Sequence, residues 1–218
     1  ARICATRALR VALDVAAAIT TSGELRFGTC LLNPPSGYAL GDLELGKRFV
    51  SDLLAGQSVR VEGAVPWLAQ AQLPEDPQAQ LSIHVGHAER APAANELMIY
   101  PRNVLVAVSA EVADLPVAIR SALRQAKIAV QSVACLLASD LNMTSTALRE
   151  AALELGVPLR FASVSGGVSE LSRHTVPNAT IVSADTGIAV AVATQPLDAA
   201  QIGRVRGLHA RQGTGDVA

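Results

Sequence analysis

Apolar positions recur along this chain in three rhythms, and each points to a different element. Beyond Asp42, Leu45, Phe49, Leu53 and Leu54 share a helical face, with Asp42 placed to cap the start and Gly56 to close the end. From Ser58 to Glu62, Val59 and Val61 alternate with Arg60 and Glu62, the period of a strand covered on one side. Val104 to Val108 is apolar at every position, as a strand buried on both faces requires.

The same rhythms continue on either side. Leu81 to Val85 and Glu96 to Tyr100 read as strands, and Pro66 to Pro77 as a loop-rich connection. Pro116 suits a first helical turn, followed by a face of Ile119, Leu123 and Ala126. Val133 to Leu137 is the next strand. Thr144 or Ser145 caps a helix carrying Leu148, Ala151, Ala152 and Leu155, Gly156 closes it, and Val157 to Phe161 is a third strand. Ser163 to Thr175 reads as a polar connector, Val176 to Val182 as a further strand, and Gly187 to Ala193 as a small, apolar segment. Near the start, Thr6 to Val15 has helical spacing and Ala17 to Thr21 turns β-branched, so a helix is expected to run into a short strand.

Strands alternating with helices define an α/β protein. Two small α/β domains are expected, the second a mostly parallel sheet covered by helices. The boundary falls near Pro101, giving units over 1–100 and 101–194, with 195–218 as a Gly- and Arg-containing linker or flexible tail.

Composition narrows the function classes. Half of the 218 residues are apolar but only 3% are aromatic, so Ala, Val, Leu and Ile must fill the interior. The 18 basic and 19 acidic residues nearly cancel, and no Arg/Lys stripe follows a phosphate backbone, which argues against nucleic acid. No apolar run approaches a membrane span. Cys4, Cys30 and Cys135 are widely spaced and odd in number, which fits reduced thiols in the cytoplasm. Lys47 and Lys127 are the only lysines, leaving little for Schiff-base chemistry. The Arg-rich opening before Val11-Ala12-Leu13 is interrupted by Asp14 and reads as an interior helix; with no initiating Met, the chain is expected to be a piece of a longer one.

Candidate chemistry sits at the ends of strands, where open α/β sheets bind ligands. Thr20, Thr21 and Ser22 offer three hydroxyls beside Gly23, and Asp140, with Asn142 after it, follows the strand Val133 to Leu137. These five are the candidate substrate-binding residues. His84 and His87 are three apart on a strand and its end, so they face opposite sides, and no metal site is expected from them. Ser165-Gly166-Gly167 matches no phosphate-binding fingerprint, and Asp185-Thr186-Gly187 reads as a turn in a strand running into a helix.

Several of these segments also follow one another as in a known family. Ile19-Thr20-Thr21-Ser22, Phe27-Gly28, Asn33-Pro34-Pro35-Ser36-Gly37-Tyr38, Leu53 to Gly63, Pro66-Trp67-Leu68 and Leu81-Ser82-Ile83 come in the order seen in CbiG-type cobalamin-biosynthesis proteins. Asp140-Leu141, Leu155 to Phe161 and Pro177-Asn178 are similar to the CobE-like C-terminal domain. The chain thus resembles the CbiG/CobE family over most of residues 10 to 193, most closely in the form joined to a precorrin-3B methyltransferase.

The resemblance implies a role in building the corrin ring, as a cobalt-precorrin-5A hydrolase that opens a ring lactone and releases a two-carbon aldehyde. It implies no cofactor of the protein's own, cobalt entering only as part of the corrinoid substrate. The implied partners are that precorrin intermediate and a precorrin methyltransferase. The chain departs from the family where Val108 to Ala113 replaces a Gly/Cys/Arg/Gly turn, and where Asn142, Thr144 and Ser145 replace charged residues. Those departures leave a second expectation open, a non-catalytic corrinoid-binding or accessory domain. A methyltransferase itself is excluded, for no glycine-rich S-adenosylmethionine loop is present.

Overall fold

The computed structural model describes residues 31–63, 65–164, 166–176 and 178–197, together with 208–209. The helix and strand expected over Thr6 to Thr21 lie outside these residues. In the first unit the elements run β1 (Tyr38–Leu40), α1 (Leu43–Leu54), β2 (Val59–Glu62), α2 (Pro66–Ala69), β3 (Leu81–Val85) and β4 (Glu96–Pro101). In the second they run β5 (Val104–Val108), α3 (Leu115–Gln125), β6 (Val133–Ser139), α4 (Thr146–Leu155), β7 (Leu159–Ala162), α5 (Val168–Thr175), β8 (Thr180–Ala184), β9 (Ile188–Val192) and β10 (Leu208–His209). The chain is therefore an α/β protein with two sheets.

The first sheet has the order β1-β4-β3-β2, with β2, β3 and β4 parallel and β1 antiparallel to β4. Alternation sends Val59, Ile83, Leu97 and Ile99 to one face, where Phe49 and Leu53 of α1 and Leu68 of α2 pack on them. Asp42 starts α1 as expected, its Oδ1 accepting from Leu45 N at 2.9 Å. The segment read as a loop after Pro66 opens with the short helix α2, where Pro66 fills the first turn. Its Trp67 meets Tyr38 edge to face, ring centroids 5.4 Å apart. The other face of this sheet carries Glu62, His84, Glu96, Met98 and Tyr100.

The second sheet has the order β10-β7-β6-β5-β9-β8. Its centre, β5, β6 and β7, is parallel; β9 and β8 continue antiparallel on one side, and β10 pairs antiparallel with β7 on the other. Helices α3 and α4 cover one face over Val106, Leu136 and Val190, while α5 covers the other over Leu105, Leu137 and Ala189. That double cover explains why every residue of β5 is buried.

Two sequence expectations give way here. The polar connector expected through Thr175 contains α5: Val168, Leu171, Ser172 and Thr175 form its inward face. Two of those four are hydroxyls, which hid the apolar rhythm; buried, they donate to carbonyls one turn back, Ser172 to Val168 O and Thr175 to Leu171 O. Asp185-Thr186-Gly187 leads into strand β9 and not a helix, as the turn of the β8–β9 hairpin. Asp185 Oδ1 accepts from Gly187 N at 2.8 Å and Ile188 N at 2.7 Å, which fixes the reversal.

The two sheets meet along a narrow seam. Ala129 N donates to His87 O and Glu89 N to Lys127 O, both at 2.9 Å, and Met98 and Tyr100 pack on Ala129. Within the second sheet, Asn103 donates through Nδ2 to Ala193 O at 3.1 Å, tying the start of β5 to the end of β9. Among the described residues no helix is long and apolar enough to cross a membrane.

Candidate functional site

Parallel strands β5, β6 and β7 end together, and the loops beyond them border a cleft of about 400 Å³. Ser109 follows β5, Ser139 closes β6, and Gly166 and Gly167 lead into α5; Thr186 of the hairpin completes the rim. Ligands of open α/β sheets bind at such strand ends, and the volume lies within the range of small-molecule sites.

Asn142 lines this cleft, and Asp140 lies beside its lining. Beyond β6 the chain makes a tight 3-10 turn over Asp140–Asn142, started by Ser139, whose Oγ accepts from Leu141 N at 3.4 Å. This turn places Asn142 in the cleft lining and holds Asp140 between two lining residues. Asp140 Oδ2 accepts a hydrogen bond from Ser163 Oγ, and Ser139 Oγ lies 3.5 Å from Asp140 Oδ1. A carboxylate held by hydroxyls keeps spare lone pairs, so it can still accept a proton.

Across from it, α5 begins at Gly167 with no side-chain cap. The amides of its first turn are donors at the positive end of a helix. Among the described residues no Arg, Lys or His lines this cleft; its titratable lining residue is Glu111. The described lining thus joins hydroxyls, an amide side chain, the Glu111 carboxylate and the amino end of a helix, with Asp140 beside it.

Thr20, Thr21 and Ser22 lie outside the described residues. Ser163 was not singled out by sequence. Its signal would have been position alone, one residue past β7, as Asp140 is one past β6.

Cys135, free and buried in β6, lies under the sheet and away from the cleft; burial pushes its thiol up to about 12, with Arg160 opposing. A neutral thiol of that kind is packing and not a nucleophile.

The polar face of the first sheet holds a second grouping. His84 Nδ1 lies 3.2 Å from Glu62 Oε2, and Glu96 is close to both. The His84 hydrogen bond, outweighing desolvation and helped by Arg60, holds the Glu62 carboxyl below its ordinary range. His84 therefore finds its partners across strands and not in His87.

No protein-family model matches the chain, and no curated protein sequence matches it. Among solved structures it is similar to a proposed cobalamin biosynthesis protein G homologue from Sulfolobus solfataricus, at 12% identity and a TM-score of 0.31, covering 72% of this chain and 57% of that one. The chain thus spans less than two thirds of that protein's length. A likeness at this level decides neither fold nor function.

Proposed function

We propose that this chain acts on a corrin intermediate, with the cleft at the ends of β5, β6 and β7 opening a ring lactone of a cobalt-precorrin. The observation that carries the reading is Asp140, held by Ser163 beside Asn142 at a strand-end cleft, in a chain whose segment order resembles CbiG/CobE. Cobalt belongs to the substrate, and the protein supplies no cofactor. A precorrin methyltransferase, acting on the same intermediates, is the fitting macromolecular partner.

The chemistry follows from the groups present. Asp140 takes a proton from water as the oxygen attacks the lactone carbonyl. The first-turn amides of α5 face a cleft where an oxyanion gains from such donors. Collapse breaks the acyl C–O bond and frees a hydroxyl. The carbon that bears this hydroxyl and the methyl on it then leave as an aldehyde: the hydroxyl gives up its proton as C=O forms, the bond to the ring breaks, and its electron pair passes to the macrocycle, which takes up a proton. A cleft of about 400 Å³ receives an edge of such a ring and not the whole, and the acidic Glu111 favours entry of the uncharged lactone over a carboxylate edge.

Incubation with the lactone intermediate is expected to release acetaldehyde, and Asp140→Asn to slow release roughly 100-fold or more while corrinoid binding changes little. Intact intermediate and no aldehyde would overturn hydrolysis. The absence, among the described residues, of any basic or imidazole side chain from the lining favours one second reading, a corrinoid-binding accessory domain. Saturable corrinoid binding without turnover would select it, and no binding at all would remove both.

A further inference from the structure

We infer that Glu62, His84 and Glu96 form a divalent-metal site on the face of the first sheet opposite α1, independent of the corrinoid reading. Strand register brings the three together. Glu62 of β2 is paired with His84 of β3, and Glu96 of β4 is paired with Ser82, one same-face position before His84. Because side chains alternate along each strand, all three project from the face opposite the α1 core.

One ligand atom from each residue lies within 4.8 Å of the other two. Metal–ligand bonds of about 2.0–2.2 Å place donors roughly 3.4 Å apart around an ion, so side-chain adjustment of about an ångström closes the set. His84 and Glu62 are at that separation already, at 3.2 Å.

Arginines occupy part of each carboxylate without exhausting it. Arg60 Nε donates to Glu62 Oε1 at 3.0 Å, Arg90 donates to Glu96 Oε1, and Ala93 N to Glu96 Oε2 at 3.2 Å. A carboxylate has about four acceptor positions, so each can ligate while keeping these bonds. Hydrogen-bonded carboxylates are the usual state of metal ligands, their outer partners fixing the orientation. The Arg60 and Arg90 side chains are 45% and 39% exposed, which lets their charge turn toward water when a cation arrives, whereas Glu96 is 10% exposed and stays in place.

One imidazole nitrogen with two carboxylates suits Zn²⁺, Mn²⁺, Fe²⁺ or Co²⁺ better than the all-oxygen sites of Ca²⁺ and Mg²⁺ or the thiolate sites of Cu⁺. Three protein ligands leave a coordination position for water or substrate. The same sheet face borders a cleft of about 460 Å³ with Arg90, Met98 and Tyr100 in its lining, next to the proposed ion through the Arg90–Glu96 pair. Sequence spacing gave no hint of this set, because its members meet only through strand register.

The test is calorimetric titration of the full chain with Zn²⁺, beside His84→Ala and Glu62→Gln, with circular dichroism verifying each fold. Wild type is expected to bind one equivalent more than H84A, and E62Q to bind that equivalent at least about tenfold more weakly. In parallel, the His84 ring resonances of the wild type should shift and saturate at one equivalent of Zn²⁺, a readout that does not depend on a variant folding. Identical Zn²⁺ isotherms for wild type and folded H84A, or His84 resonances unmoved by Zn²⁺, would overturn the site. In that case the three residues with Arg60 and Arg90 are an ion-pair network only.

Discussion

Gly63 sits at φ +106°, where β2 leaves the first sheet, and a Cβ there would stand 2.8 Å from the Val85 carbonyl oxygen. Two costs coincide: a left-handed backbone and a collision with backbone that cannot rotate away. Gly63→Ala is expected to cost about 2–3 kcal/mol, which a melt would read as a fall of roughly 4–10 °C. Gly156, at φ +65° with nothing within 4 Å, has the conformational cost alone, so Gly156→Ala should lower the midpoint by less than half as much. Equal shifts would show that the Val85 contact relaxes freely. At this scale the positions of Asp140 and Asn142 were legible, because a polar residue after an apolar strand is visible in one dimension. Ser163, Glu62 and Glu96 were not legible as partners, since the bonds that bring them to Asp140 and His84 span 23 and 22 residues for Ser163 and Glu62 and depend on which strands are neighbours.

Among the elements, α1 is the clearest case of local sequence agreeing with tertiary need. Its cap, Asp42, satisfies Leu45 N, and Phe49 and Leu53 carry the helix onto β2, β3 and β4. Asp42→Ala leaves that amide to water and is expected to destabilise by about 1 kcal/mol, with Asp42→Ser recovering most of it; chemical denaturation of the three proteins measures both. A loss under about 0.3 kcal/mol would mean the helix is held by its apolar face alone. The strands β2 to β6 were legible for a related reason, as their alternation or continuous apolarity states how many faces are covered. Helix α5 was not, because buried Ser172 and Thr175 satisfy themselves on its own backbone and look like surface residues in sequence. Strand β9 was ambiguous in the same way: Ile188-Ala189-Val190-Ala191-Val192 is alanine at alternate positions, and alanine suits helix as well as strand. Pairing with β5 and β8 decides between them.

At the scale of the molecule, two sheets with separate cores share a seam narrow enough to be tested by one side chain. The large clusters under α1 and around β5 have no member in common; the bridge is a small group of Met98, Tyr100 and Ala129, flanked by the Ala129 N to His87 O bond. Ala129 is 4% exposed and Tyr100 is 5% exposed, its phenol raised by burial, with Arg90 opposing. Ala129→Glu would press a carboxylate against Met98 and Tyr100, where desolvation is costly. The seam should loosen while both cores keep their own packing. Wild type is then expected to melt in one calorimetric transition, and A129E in two, with the ratio of calorimetric to van't Hoff enthalpy rising above one. Because α3, β6 and the cleft at the strand ends belong to the second unit alone, the proposed corrinoid binding should survive the change. Zn²⁺ binding, resting on β2, β3 and β4, should survive it as well. A single transition merely shifted to lower temperature would instead mean that the backbone bonds at Lys127 and Ala129 suffice to make the two units fold as one.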